Sequence, residues 1–145
     1  MRELRRTAMV NQPPAVVFAL VSDVASYPQF VPGCAAAEIL ERTDDEVVAR
    51  LTVRRGALRT HFTTRNRHSP PDQVHMQLVD GPLRSLDGDW RFTAVGEHGC
   101  QIELQLNYQF SNPIKAALLE PLFVELADQM VRAFVKRAQQ LDEQR

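Results

Sequence analysis

Cysteine is scarce: Cys34 and Cys100 are the only two in 145 residues, and neither belongs to a CxxC or CxxH pair. That excludes a disulfide-built scaffold and a zinc ribbon, and both thiols are read as reduced, structurally inert side chains. A surplus of one charge is also missing. Seventeen Lys and Arg against 18 Asp and Glu leave a formal net charge of -1, so no whole-surface attraction to nucleic acid is expected and DNA is not a partner. No stretch approaches the roughly 20 apolar residues that cross a bilayer; runs such as Ala15 to Val21 soon meet polar residues. Arg2, Arg5 and Arg6 have the charge of a signal-peptide start, but Asn11, Gln12, Pro13 and Pro14 stand where its apolar region belongs. The expected location is the cytoplasm, with contact at the inner-membrane surface.

Catalytic signatures are absent as well. The chain has no HExxH, GxSxG, P-loop or dinucleotide loop. His61, His68, His75 and His98 are scattered; His68 and His75 flank one turn, yet no carboxylate or thiol pair joins them at metal-ligand spacing. Neither a metal nor a cofactor is expected. Asp87 and Asp89 share one face of a strand, where an acid–base pair would need to be, but Trp90 and Phe92 take the alternate positions. If the rings face inward, the aspartates face water.

What remains is an ordinary globular composition, 44% hydrophobic and 24% charged, in a length that suits one domain over residues 1–145. Residues 3–11 alternate as a first strand. Pro13 and Pro14 suit a helix start, and Val17, Leu20, Val21 and Val24 follow at the spacing of one helical face, predicting a short helix over 14–24. Tyr27-Pro28-Gln29-Phe30-Val31-Pro32 reads as a rigid turn. From Ala37 the period becomes two, with strands near 36–42, 46–54, 58–67, 73–79, 86–95 and 100–110. Short Gly, Pro and Asp turns between them imply antiparallel pairing.

Asn112-Pro113 is a strong helix start. Leu119, Phe123, Leu126, Met130, Phe134 and Leu141 form the inner face of the long helix that follows, and Pro121 is expected to kink or restart it. The order of elements predicts an α+β fold: a curved antiparallel sheet of six to seven strands wrapped around one long C-terminal helix, with a short helical segment after strand one. A curved sheet and a single long helix leave room for a cavity between them.

Three segments carry a family resemblance that spans essentially the whole chain. They are Ser26-Tyr27-Pro28-Gln29-Phe30-Val31-Pro32-Gly33-Cys34; Asp80-Gly81-Pro82-Leu83 with Leu86, Gly88, Trp90 and Phe92; and Met130-Val131-Arg132-Ala133-Phe134 with Arg137-Ala138. In these the chain resembles the START-like, helix-grip (SRPBCC) superfamily, in its coenzyme Q-binding and ribosome association toxin A branch. Leu83 departs from the phenylalanine common there, which bears on pocket shape. The resemblance implies a bound ubiquinone-like lipid, with a carrier or chaperone role in respiration or quinone biosynthesis. A ribosome-binding toxin that blocks subunit association is the alternative, and a polyketide cyclase or aromatase a second.

A quinone asks for apolar walls and a few hydrogen-bond donors. The candidate lining is Tyr27, Phe30, Phe62, Met76, Leu78, Leu86, Trp90, Phe92, Leu106, Tyr108, Phe123, Met130 and Phe134, with Tyr27, Trp90 and Tyr108 as donors. By pattern alone such residues read first as the core of a protein that binds nothing, and the resemblance is what raises a ligand-lining role beside that reading. Outside the cavity, Arg50, Arg54, Arg55, Arg59, Arg65 and Arg67 gather around Gly56. Arg54, Arg55, Leu58 and Arg59 are the candidate contact with anionic lipid headgroups or ribosomal RNA, against the plainer reading of a charge-protected strand edge.

Overall fold

Two prolines set the first bend of the chain. In the computed structural model, which describes residues 2–143, strand β1 (Arg2–Val10) ends at a turn whose Pro13 and Pro14 open helix α1 (Pro14–Ser22). Helix α1 stops earlier than the periodicity predicts. Val24 lies instead in a 3-10 turn (Val24–Ser26), and the segment read as an irregular turn forms a single helical turn, α2 (Tyr27–Phe30). Pro28 is tolerated because it stands in the first turn, where a missing N–H costs nothing. The Tyr27 hydroxyl donates to the Val21 carbonyl, one of the acceptors a helix end leaves open.

The other strands are β2 (Cys34–Arg42), β3 (Glu46–Arg55), β4 (Leu58–Ser69), β5 (Gln73–Asp80), β6 (Leu83–Val95) and β7 (Gly99–Phe110). They form one antiparallel, curved sheet in the order β1-β7-β6-β5-β4-β3-β2. Irregular register in β2, between Thr63 and Thr64, and between Leu83 and Ser85 adds local bend and twist. Gly88 permits the closest approach: a Cβ there would lie 2.4 Å from the Gln105 carbonyl oxygen and 2.5 Å from Leu106 Cδ2. Gly56 (φ +60°) makes the tight reversal between β3 and β4, a backbone conformation open mainly to glycine.

Helix α3 (Pro113–Glu143) begins where Asn112 Oδ1 accepts the Lys115 N–H at 2.8 Å. It runs through Pro121 without restarting. Pro121 and Ala117 are both on the exposed side, so the carbonyl that loses its donor is open to solvent. The inner face is broader than the simple spacing suggests, adding Leu122, Ala127, Val131 and Ala138, while Leu141 is only partly covered. Ion pairs lash its flanks to the sheet: Arg2–Glu120 at 2.7 Å, Arg6–Asp128 at 2.6 Å and Arg55–Glu125 at 2.8 Å. The buried Gln12 amide donates to the Ala138 carbonyl at 3.1 Å, tying the first turn to the last helix.

His68 and His75 do not meet. His68 pairs in register with Val74 and His75 with Arg67, so their side chains leave opposite faces of the sheet. His75 lies on the outer face, with Nδ1 2.8 Å from Asp89 and Nε2 3.2 Å from Asp87. The two aspartates thus face outward, opposite the buried Trp90 and Phe92.

Candidate functional site

Between the sheet and α3, the aromatic side chains form two clusters. One surrounds Phe134, with Trp90, Tyr27 and Phe30 at 5.3, 5.4 and 5.9 Å between ring centroids. The other surrounds Phe123, with Tyr108, Phe62 and Phe110 at 4.7, 5.6 and 6.0 Å. Phe123 and Phe134 are three turns apart on one helix. The space between them is incompletely filled.

That space is an apolar cavity of about 70 Å³ lined by Leu51, Phe62, Thr64, Met76, Leu86, Trp90, Leu104, Leu106, Phe123, Leu126, Ala127 and Met130. A second cavity of about 30 Å³ adjoins it, lined by Val21, Val24, Tyr27, Ala49, Leu51, Thr64, Asn66, Val74, Met76, Trp90 and Met130. Leu51, Thr64, Met76, Trp90 and Met130 belong to both linings and therefore form the partition. Two of the five are methionines, whose unbranched thioethers adapt readily to new neighbours.

Polar atoms in this space are few. The Thr64 hydroxyl donates to Asn66 Oδ1 at 2.8 Å, which leaves the Asn66 amide N–H groups and the Trp90 indole N–H without a partner among the described residues. Tyr27 is not an available donor, because its hydroxyl is committed to Val21. Complete burial, and secondarily Cys34 and Asp23, push its pKa well above the usual phenol value. Tyr108 is also committed, to Glu120 at 2.8 Å; burial first and Glu120 second raise its pKa to about 12. With no carboxylate, histidine or lysine in either lining, the cavity is equipped to hold an apolar molecule and to donate hydrogen bonds to an acceptor.

Of the residues expected to line a ligand site, Phe62, Met76, Leu86, Trp90, Leu106, Phe123 and Met130 line the larger cavity, and Tyr27 the smaller. The rest stand elsewhere. Phe30 packs on Tyr27 and Phe134 with the Arg137 guanidinium 5.4 Å above its ring. Phe92 meets Phe18 edge-on. Phe134 is wholly buried, Leu78 is partly covered against the core, and Tyr108 lines a separate hollow at the start of α3. Asn66 was missed. A polar residue in a strand reads as solvated, but the arginines at 59, 65 and 67 mark the opposite face as the wet one, and that placed Asn66 inside.

The arginine group is less uniform than its sequence suggests. Arg65 and Arg67 share Glu46 at 3.1 and 3.2 Å, and Arg55 is bound to Glu125. Leu58 is partly buried against the core. Arg54 and Arg59 face one another across β3 and β4, both exposed and without an ion-pair partner among the described residues.

Residues 10–135 match the model of the family described as polyketide cyclase/dehydrase and lipid transport. The chain belongs to this family. Within the polyketide cyclase/dehydrase and lipid transport family it is 42% identical to the ribosome association toxin RatA of Pseudomonas aeruginosa over 138 residues, covering 95% of this chain and 96% of that one. More distantly, it is 27% identical to the mitochondrial coenzyme Q-binding protein of Dictyostelium discoideum over 139 residues, covering 93% of this chain and 68% of the relative. A START superfamily protein from Mycobacterium smegmatis superposes with a TM-score of 0.79 at 21% identity, covering 96% and 98% of the two chains. The helix-grip fold expected from the resemblance is thus the fold of the molecule, and both names of the expected branch occur among its relatives. Those two relatives are named for what they bind or associate with, and the family name includes both cyclases and lipid transport.

Proposed function

We propose that this protein is a carrier or chaperone that holds an isoprenoid quinone such as ubiquinone, or a quinone precursor, between sheet and helix and performs no covalent chemistry on it. In that role it supports respiratory electron transport or quinone biosynthesis. The observation that carries this reading is the divided cavity: apolar on nearly every side, with Trp90 in both linings and Asn66 in the smaller one, each with N–H groups that have no partner among the described residues. As closed, it is far smaller than the roughly 300 Å³ at which ligand pockets begin. Binding therefore requires Met130 and Met76 to swing off the partition and join the two volumes. Each methylene of an isoprenoid tail buried in this way contributes about 0.8 kcal/mol before ordering costs.

The test is extraction. Protein purified from its native host is treated with organic solvent and the extract examined by mass spectrometry for quinones and isoprenoids. Repeated recovery of a quinone at near-stoichiometric amount supports the proposal. Its absence, together with no binding of added quinone, overturns it.

A second reading has its own observation. Like charges directly opposite on neighbouring strands destabilise a sheet, and the Arg54–Arg59 pair is left unneutralised. A contact with ribosomal RNA would relieve that repulsion, in keeping with the name of the Pseudomonas relative. Co-sedimentation with ribosomal subunits should fall steeply with salt and be lost in the Arg54→Glu/Arg59→Glu variant. Unchanged co-sedimentation removes this reading.

A further inference from the structure

The first two turns of α3 present an apolar surface to solvent. Ile114, Ala117, Leu118 and Pro121 follow one another at i, i+3, i+4 and i+7, all exposed, on the side of the helix away from Leu119, Phe123 and Leu126. Ile114 is 79% and Leu118 58% exposed, more than any other large apolar residue described. The outer side of a core-packed helix is ordinarily charged, and farther along α3 it is, at the exposed Arg132 and Lys136. Val79, 50% exposed, precedes the β5–β6 turn, whose Pro82 carbonyl accepts both the Ser111 N–H at 3.2 Å and the Ser111 hydroxyl at 2.9 Å. That turn is thereby fixed beside the helix start.

Cations surround this end. A hollow of about 320 Å³ next to the first turn is lined by Arg2, Arg84, Gln109, Ser111 and Asn112 among others, and by no carboxylate. Arg84 is exposed and makes no ion pair among the described residues, and Lys115 is exposed on the first turn. Arg2 neutralises Glu120. Asp80, at the end of β5, stands 3.9 Å from His61.

From this juxtaposition we propose that the N-terminal end of α3 is a docking surface for an anionic lipid bilayer, with Ile114 and Leu118 entering the acyl boundary and Arg84 and Lys115 at headgroup phosphates. An apolar stripe flanked by two unneutralised cations, Arg84 and Lys115, matches a surface that is negative outside and apolar beneath. A purely apolar protein surface would account for the stripe but not for the two cations beside it. The inference deepens the cavity reading: Phe123, on the opposite side of the same stretch of α3, is a cavity wall, so a lipid leaving the cavity at this end would emerge at the bilayer.

Sedimentation of the full chain with vesicles tests it, comparing phosphatidylcholine alone with an equimolar mixture of phosphatidylcholine and phosphatidylglycerol. The protein should partition onto the mixed vesicles, less onto the neutral ones, and less at high salt. The Ile114→Ser/Leu118→Ser variant should lose about tenfold or more in partitioning and Arg84→Glu a smaller part, with melting temperatures unchanged because the replaced side chains are exposed. No binding to anionic vesicles, or binding that both variants retain, overturns the proposal. Loss of quinone binding with vesicle binding retained would sink the cavity reading and leave the docking surface standing.

Discussion

Met130→Ala truncates one of the two methionines in the wall between the two cavities. Met130 belongs to the linings of the 70 and 30 Å³ spaces alike, so truncation joins them and adds the volume of the lost thioether. The product approaches about 150 Å³, the size at which a dry apolar cavity accepts a benzene-sized guest. Met130 is only partly buried, which places the destabilisation near the low end for such a change, about 2 kcal/mol, or a melting temperature lower by about 6 °C. The informative measurement is the melt repeated with a tailless benzoquinone. Stabilisation by a ligand grows as RT ln(1 + [L]/Kd), so the variant should recover more of its melting temperature than the parent at equal ligand. A variant that loses stability but shows no greater response than the parent would refute the idea that Met130 limits access.

Three other outcomes follow from single residues. Asn66→Leu should weaken binding of a carbonyl-bearing quinone by roughly three- to tenfold, the worth of one hydrogen bond, and leave an isoprenoid hydrocarbon unaffected; equal loss for both ligands would assign Asn66 a purely structural role. Gly88→Ala forces a Cβ against the Gln105 carbonyl and should cost about 3 kcal/mol in denaturant unfolding; a neutral result would mean that β6 and β7 separate more easily than their register implies. His68 has a buried, unbonded Nε2, and burial first, then Arg42, lowers its pKa, with Asp45 opposing. The unfolded chain therefore binds that proton more readily, so stability is full above the ordinary histidine pKa of about 6.5 and declines as pH falls below it. In His68→Phe that part of the decline should vanish; an unaltered pH profile would show that His68 does not contribute.

Alternation and turn chemistry made most of the fold legible. The period-two pattern of Ile102, Leu104, Leu106, Tyr108 and Phe110 identifies β7 and its inner face, and Asn112-Pro113 marks the first residue of α3. What misled was local rigidity: the prolines around Tyr27 suggested a turn, whereas Pro28 occupies the one part of a helix that accepts it. At Pro121 the restart expected as one possibility does not occur, since α3 continues through it as one helix with the proline on the exposed side. The cavity wall was partly legible, because large apolar side chains on inward positions either fill a core or line a gap, and the pattern is the same for both. Phe30, Phe92 and Phe134 fill; Phe62, Met76 and Phe123 line. Only the offset between the two aromatic clusters distinguishes them, and that depends on how the sheet curves around α3.

The chain has a single tryptophan, and Trp90 borders both cavities. Titration of its fluorescence with a short-tailed ubiquinone is therefore the most direct test, since a quinone is an electron acceptor that quenches an excited indole at contact. The expected result is saturable quenching at one quinone per chain, weakened by Asn66→Leu. Quenching that rises linearly without saturation, or none at all, would contradict a quinone held between sheet and helix.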